Sequence, residues 1–240
     1  MPQYARVTPH SPIQEVFPDV FFVQGSFRAA PGFRFSRNMV VLREGDELTV
    51  INAVRLNDNE QARLDELGQV KHVMRIGTMH GMDDPYYVDR YDARFWCQEG
   101  QGQYSEPAVS DFLRENSTLP ISGLRCLPFY ATREPECVLL LERHGGLLIA
   151  CDAMQDWTDY RQCTWPAKVV MPRMGFEKRV LVGPIWMKLL VEDRQALSED
   201  FSRILQQDFA HFVAAHGGFR KDNAKAHVAQ AIRLALPESE

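Results

Sequence analysis

A β-rich run, an amphipathic helix and a second β-rich run follow one another without a break between Glu47 and Ile76, and this order restricts the fold more than any other feature of the chain. The first run, residues 47–52, is preceded by residues 38–43 across a turn at Glu44-Gly45-Asp46, so the two form a hairpin. Leu56, Ala62, Leu64 and Leu67 mark an amphipathic helix over residues 57–67, which Asn57 or Asp58 can cap and Gly68 ends. Residues 70–76 then read as a strand. Strand, helix, strand implies a parallel crossover, and the carboxyl end of the second strand opens toward a site.

The remainder organises around that unit. Residues 1–15 are an extended lead-in whose prolines deny both helix and ladder, residues 20–24 are a short β-run, and residues 25–36 read as a loop. A second β-rich half contains runs at 93–96, 124–127, 138–142 and 147–151, with a turn at His144-Gly145-Gly146. Residues 153–185 read as a long excursion with aromatics, prolines and weak periodicity. Residues 194–207 are helical, 209–215 form a strand, and 223–236 close the chain as a helix. No Pro/Ser linker divides the halves, so the expectation is one α+β domain over residues 1–240.

Charge and composition narrow the function. With 27 basic and 32 acidic side chains the net charge is −5, which argues against a life on a phosphate backbone. The longest apolar runs, such as Val138-Leu139-Leu140-Leu141, fall far short of the roughly 20 residues of a membrane helix. The expected protein is cytoplasmic and acts on a small molecule, not on nucleic acid or membrane; a homodimer is compatible with the surface aromatics. Five scattered cysteines without a C-x-x-C pair read as reduced, mostly buried thiols. Nucleophile elbows, P-loops and dinucleotide fingerprints are missing from the sequence.

Three loops, each just past a β-run, end in side chains that can hold a metal: His80 with Asp83 and Asp84, Asp152, and His216. Imidazole and carboxylate are what zinc, iron and manganese accept. In these features the chain resembles the metallo-β-lactamase superfamily. The string Phe17-Pro18-Asp19-Val20-Phe21-Phe22-Val23-Gln24-Gly25, the strand opened by Asn38, the strand ending in the His80 loop, Leu147-Leu148-Ile149-Ala150-Cys151-Asp152, and Ala215-His216-Gly217 ahead of a helix all match in order and spacing over residues 16 to 236.

The resemblance implies an αββα four-layer sandwich with a metal site at one edge. It also exposes departures. Against the superfamily's His-x-His-x-Asp-His, one register keeps His80 and Asp84 and puts Met82 and Pro85 where histidines belong; a register one residue earlier puts Asp83 at the aspartate. No histidine lies near Tyr130-Ala131-Thr132-Arg133, where the next is due, and Asn52 replaces the hairpin aspartate. A dinuclear centre is not supported. What survives is one site of His80, Asp84, Asp152 and His216 for a single Zn, Fe or Mn ion, with Asp83 as base or orienter and Tyr86, Tyr87 and Trp157 as substrate wall. Two readings stand: a mononuclear metal-dependent hydrolase of a small ester, amide or phosphoester, and a non-catalytic binding or sensory descendant of the fold.

Overall fold

The structure, a computed structural model, describes residues 4–100 and 105–237. Strands β1 (Gln14–Phe17), β2 (Val20–Ala30), β3 (Phe33–Glu44) and β4 (Glu47–Ile51) form an antiparallel meander. Helix α1 (Asp58–Leu67), its first turn closed by Asn57 accepting from the Glu60 amide, carries the chain to β5 (Gln69–Met74), parallel to β4. Helix α2 (Asp84–Tyr91) connects to β6 (Arg94–Cys97), and β7 (Asp111–Phe112) completes a seven-stranded sheet.

The chain then builds a second sheet from β8 (Leu124–Pro128), β9 (Cys137–Leu141) and β10 (Leu147–Ile149). It leaves through β11 (Met154–Asp156), α3 (Trp165–Val170), β12 (Val180–Val182), α4 (Pro184–Leu190) and α5 (Arg194–Leu205). It returns as β13 (His211–Val213), parallel to β10, followed by β14 (Phe219–Arg220) and helix α6 (Ala224–Ala235); the five strands run in the order β14-β13-β10-β9-β8.

Alternation of side chains along the strands produces the layers. Val20 and Phe22 on β2, Val40 and Leu42 on β3, and Leu139 and Leu141 on β9 share one core between the sheets. Phe21, Val23, Met39 and Val41 face the other way and pack with Leu64 of α1 and Tyr87 of α2. Val138 and Leu140 pack with Trp186, Phe201, Val228 and Ile232 of the helices on the far side. Strand β9 is buried on both faces, which is why it reads as an unbroken apolar run. The result is the four-layer αββα sandwich.

Three segments depart from expectation. The loop assigned to residues 25–36 is instead a continuation of the β2–β3 hairpin, turning only near Gly32, where φ is +80°. The polar run after His80 is not all loop: Pro85 sits in the first turn of α2, where a missing amide hydrogen costs nothing, and Tyr87 is buried on the helix's inner face. The excursion over 153–185 holds regular structure, and Trp157, Tyr160, Met171 and Phe176 form a small core of their own against Phe33 and Phe35 of the hairpin tip. All five cysteines are free and buried. Among the described residues no helix is long and apolar enough to cross a membrane.

Candidate metal centre

Three of the candidate side chains come from three strand ends and meet. Asp152 follows β10 and His216 follows β13, neighbouring parallel strands, so their carboxyl ends lie side by side; His80 arrives from the end of β5 in the other sheet. His80 Nε2 stands 3.2 Å from His216 Nε2 and 3.4 Å from Asp152 Oδ2, and His216 Nε2 stands 3.1 Å from Asp152 Oδ1. All three are buried.

The long hairpin holds the His216 loop in place. Asn38 Nδ2 donates to the carbonyls of Ala214 and Gly217, Gln24 Nε2 donates to that of Gly217, and the Ser36 hydroxyl accepts the Gly217 amide. The Ser36 carbonyl lies 2.7 Å from His216 Nδ1; a carbonyl can only accept, so Nδ1 carries a hydrogen and Nε2 is the nitrogen that faces the cluster and could bind a cation. Trp157 stacks on the ring at 5.4 Å and 15°. Gln155 Nε2 donates to Asp152 Oδ1 at 3.1 Å, and Trp157 Nε1 donates to Gln155 Oε1 at 2.6 Å.

Gly217 makes this close approach achievable. Its φ is +85°, and a Cβ there would lie 1.6 Å from the Asp156 carbonyl oxygen, closer than any contact permits. Gly217→Ala is expected to destabilise the protein by about 3 kcal/mol or more, since strain and overlap with backbone act together. Urea unfolding followed by Trp fluorescence measures it, and an unchanged midpoint would show that the loop has another conformation to adopt.

The donors fit a metal. Ligand atoms about 2.0–2.2 Å from a tetrahedral cation lie about 3.3–3.6 Å apart from each other, and the three separations here are 3.1 to 3.4 Å. Two imidazoles and a carboxylate suit a borderline divalent ion. His80, Cys151 and Asp152 also form a group in which one ligand atom of each lies within 4.8 Å of the others. From the sequence, Cys151 reads as one of five reduced, mostly buried thiols and not as a ligand, because adjacent strand residues ordinarily point to opposite faces and it carries no nearby motif.

Electrostatics sharpen the picture. Burial opposes ionisation of Asp152, but the two imidazoles outweigh it and hold the carboxyl below the usual range. Burial lowers the pKa of His80, against the pull of Asp152, and pushes the Cys151 thiol up. Glu136 lies beside the group with Oε1 accepting the Ala153 amide at 2.6 Å; burial, then the Asp152 charge, drives its pKa well above the ordinary 4.5. An acid whose pKa is higher folded than unfolded contributes fully below the unfolded value and loses that contribution as pH climbs toward the folded one. In chelator-treated protein Glu136→Gln is therefore expected to gain on the wild type as pH rises from about 5 to 8. Urea midpoints across that range would read the gain, and a difference independent of pH would mean that Glu136 is already ionised in the fold.

The other candidates lie elsewhere. Asp84 does not join the cluster, because its Oδ2 accepts from Arg75 Nε at 2.8 Å and both side chains are only 2% exposed. Asp83 is likewise turned away: it pairs with Arg37, accepts the Arg55 amide at 2.8 Å, and does not line the cavity above the cluster. Neither Asp84 as ligand nor Asp83 as base is in position. Tyr87 is buried with its hydroxyl donating to the Val54 carbonyl, and Tyr86 lies under Arg55, whose Cζ is 3.8 Å from the ring centroid. Both tyrosines are outside the cavity lining, whereas Trp157 is part of it. The cavity measures about 470 Å³ and has His80, Asp152 and His216 among its lining residues.

No protein-family model and no curated protein matches this sequence. Solved structures do. The DIM-1 metallo-β-lactamase superposes with a TM-score of 0.64 at 12% identity, over 95% of this chain and 99% of that one. A metallo-β-lactamase from Pontibacter korlensis gives 0.63 at 12% identity, over 92% and 98%. A flavoprotein from Thermotoga maritima gives 0.64 at 12% identity, over 96% of this chain and 62% of the longer one. Across nearly all of its length, this chain has the metallo-β-lactamase fold.

Proposed function

We propose that the protein is a mononuclear metal-dependent hydrolase of a small molecule, with His80, Asp152 and His216 holding one divalent ion, Zn, Fe or Mn. The observation that carries this reading is the meeting of two ring Nε2 atoms and one carboxylate within 3.4 Å, beside a cavity. A cation so held would supply Lewis acidity to a substrate carbonyl or phosphoryl oxygen. The chain's own residues do the positioning. Ser36 fixes the His216 tautomer, Trp157 fixes the ring plane, and Gln155 orients Asp152. Apolar walls around the cluster limit water and strengthen each electrostatic contact inside.

Protein purified without chelator is expected to carry about one equivalent of transition metal by elemental analysis, with anomalous scattering placing it at the three side chains. A second reading, a binding protein without chemistry, is favoured by the engagement of Asp83 with Arg37 and Arg55, which leaves no second carboxylate to serve as base from that loop. It is distinguished by finding no tight metal and no turnover across an ester, amide and phosphoester panel.

A further inference from the structure

The excursion and the hairpin tip carry a charge opposite to that of the rest of the chain. Residues 157–190 hold six basic side chains and only two acids, a net +4 in a chain of net −5, which leaves −9 for the remainder. Both acids are paired within the segment, Asp159 with Arg161 and Glu177 with Arg179. Thr164 ties the hairpin tip to this segment through the Gly32 carbonyl and the Arg34 backbone, and the tip adds Arg28 and Arg34. These two arginines stand directly opposite each other across β2 and β3, and like charges so placed repel. Arg34 and Arg173 donate to backbone carbonyls, and Lys178 lies over the Tyr160 ring. Among the described residues, no carboxylate lies within ion-pair distance of Arg28, Arg34, Lys168, Arg173, Lys178 or Lys188.

Large apolar side chains stand in the open among these cations. Trp165 is 76% exposed and Leu189 51%, and Met82, Val169, Met174 and Ile185 are exposed with them. Trp165 and Val169 on α3, and Ile185 and Leu189 on α4, are four residues apart, so each pair shares the outer side of its helix, with Lys168 or Lys188 alongside. Met82, Met174 and Ile185 line the mouth of one cavity together with Ala29 of the hairpin, which joins the three segments into one surface. An indole and aliphatic side chains set among Lys and Arg match a bilayer interface: the indole sits at headgroup level, the aliphatics reach the acyl boundary, and acidic headgroups attract the cations. A second copy docked on the same face about a two-fold axis would set these charges against themselves. We propose that this face docks on an anionic phospholipid surface, with Trp165 and Leu189 seated among the headgroups and the cavity mouth turned toward the lipid. The net charge of the whole chain argues against such a partner, but it is not the charge that this face presents. The docking depends on neither a metal nor the hydrolase reading.

Trp165 is the exposed member of four tryptophans, the others being buried, so its emission reports on this face. The full chain is mixed with phosphatidylcholine vesicles, with and without about 30% phosphatidylserine, and followed by flotation and tryptophan emission. Acidic vesicles are expected to bind at least about tenfold more tightly than neutral ones, with a blue shift, and to lose about tenfold when salt is raised from about 0.1 to 0.5 M. Trp165→Ala should weaken binding about tenfold and abolish the shift. Lys168→Glu with Lys188→Glu should cost at least about tenfold on acidic vesicles and little on neutral ones. Phe112→Ala, on the edge strand β7, is the control and should change nothing. Equal affinity for both vesicles, no blue shift, or variants that bind like the wild type would each overturn the proposal. So would a dimer on gel filtration whose Trp165 emission is already blue-shifted without lipid, since a second copy would then cover the face. Single-stranded DNA bound as tightly as acidic vesicles would assign the cations to nucleic acid instead and overturn it too.

Discussion

His216→Ala is expected to reduce bound metal from about one equivalent to below a tenth, and to lower kcat/KM on any ester or amide that the protein turns over by on the order of 10³-fold or more. The ring supplies one of the three side chains proposed to hold the cation, and its Nε2 already faces the cluster while Nδ1 is tied to the Ser36 carbonyl. Asp152→Asn is the companion test. It keeps the size of the side chain and an oxygen for Gln155 to donate to, but it removes the charge that stands 3.1 and 3.4 Å from the two imidazoles. Elemental analysis on gel-filtered protein reads the loss directly, with circular dichroism confirming that each variant folds. Full metal content in either variant would mean that the cation sits elsewhere, with Cys151 or Glu136 the nearest alternatives.

The second large effect falls on stability, not chemistry. Asp84→Ala leaves Arg75 as a charged side chain inside the protein after losing its carboxylate partner at 2.8 Å. Breaking a buried ion pair from one side costs about 3–5 kcal/mol, because the surviving charge keeps its desolvation penalty. Arg75 also donates to the Glu106 carbonyl at 2.8 Å and lies over the Phe95 ring, so it is held where it is and cannot swing into solvent to relieve the loss. The urea midpoint should fall accordingly, while the folded fraction keeps its full metal. A fall in metal content at unchanged stability would restore Asp84 to the ligand set. Removing both charges with Arg75→Met and Asp84→Ala together is expected to recover part of the loss.

Much of the architecture was legible because burial leaves a periodic trace. Two-residue alternation along β2 and β3 separates the inner core from the helix-facing one, and the run 137–141 announces a strand covered on both sides. The hairpin extension through residues 25–36 was hidden because Gly25, Pro31 and Gly32 interrupt the pattern, although backbone pairing continues across it. At the centre, His80, Asp152 and His216 could be picked out as loop residues past strand ends. Their neighbours could not be ranked. Sequence spacing does not say that Arg75, nine residues before Asp84, pairs with it, or that Arg37 of a distant strand reaches Asp83. Ion pairs of that kind are settled by tertiary geometry, and they turned two apparent ligands into parts of the scaffold. Tyr86 and Tyr87 were misplaced for a related reason, since α2 directs them toward Arg55 and Val54 instead of the cavity.

The bond from His216 to the Ser36 carbonyl has one more implication. An imidazole anchored through one nitrogen and sandwiched beside an indole has surrendered its rotational freedom before anything binds, so that part of the entropic toll of capture is met during folding. The same anchoring removes this ring from the class of histidines that ferry hydrogen ions by swivelling between two partners.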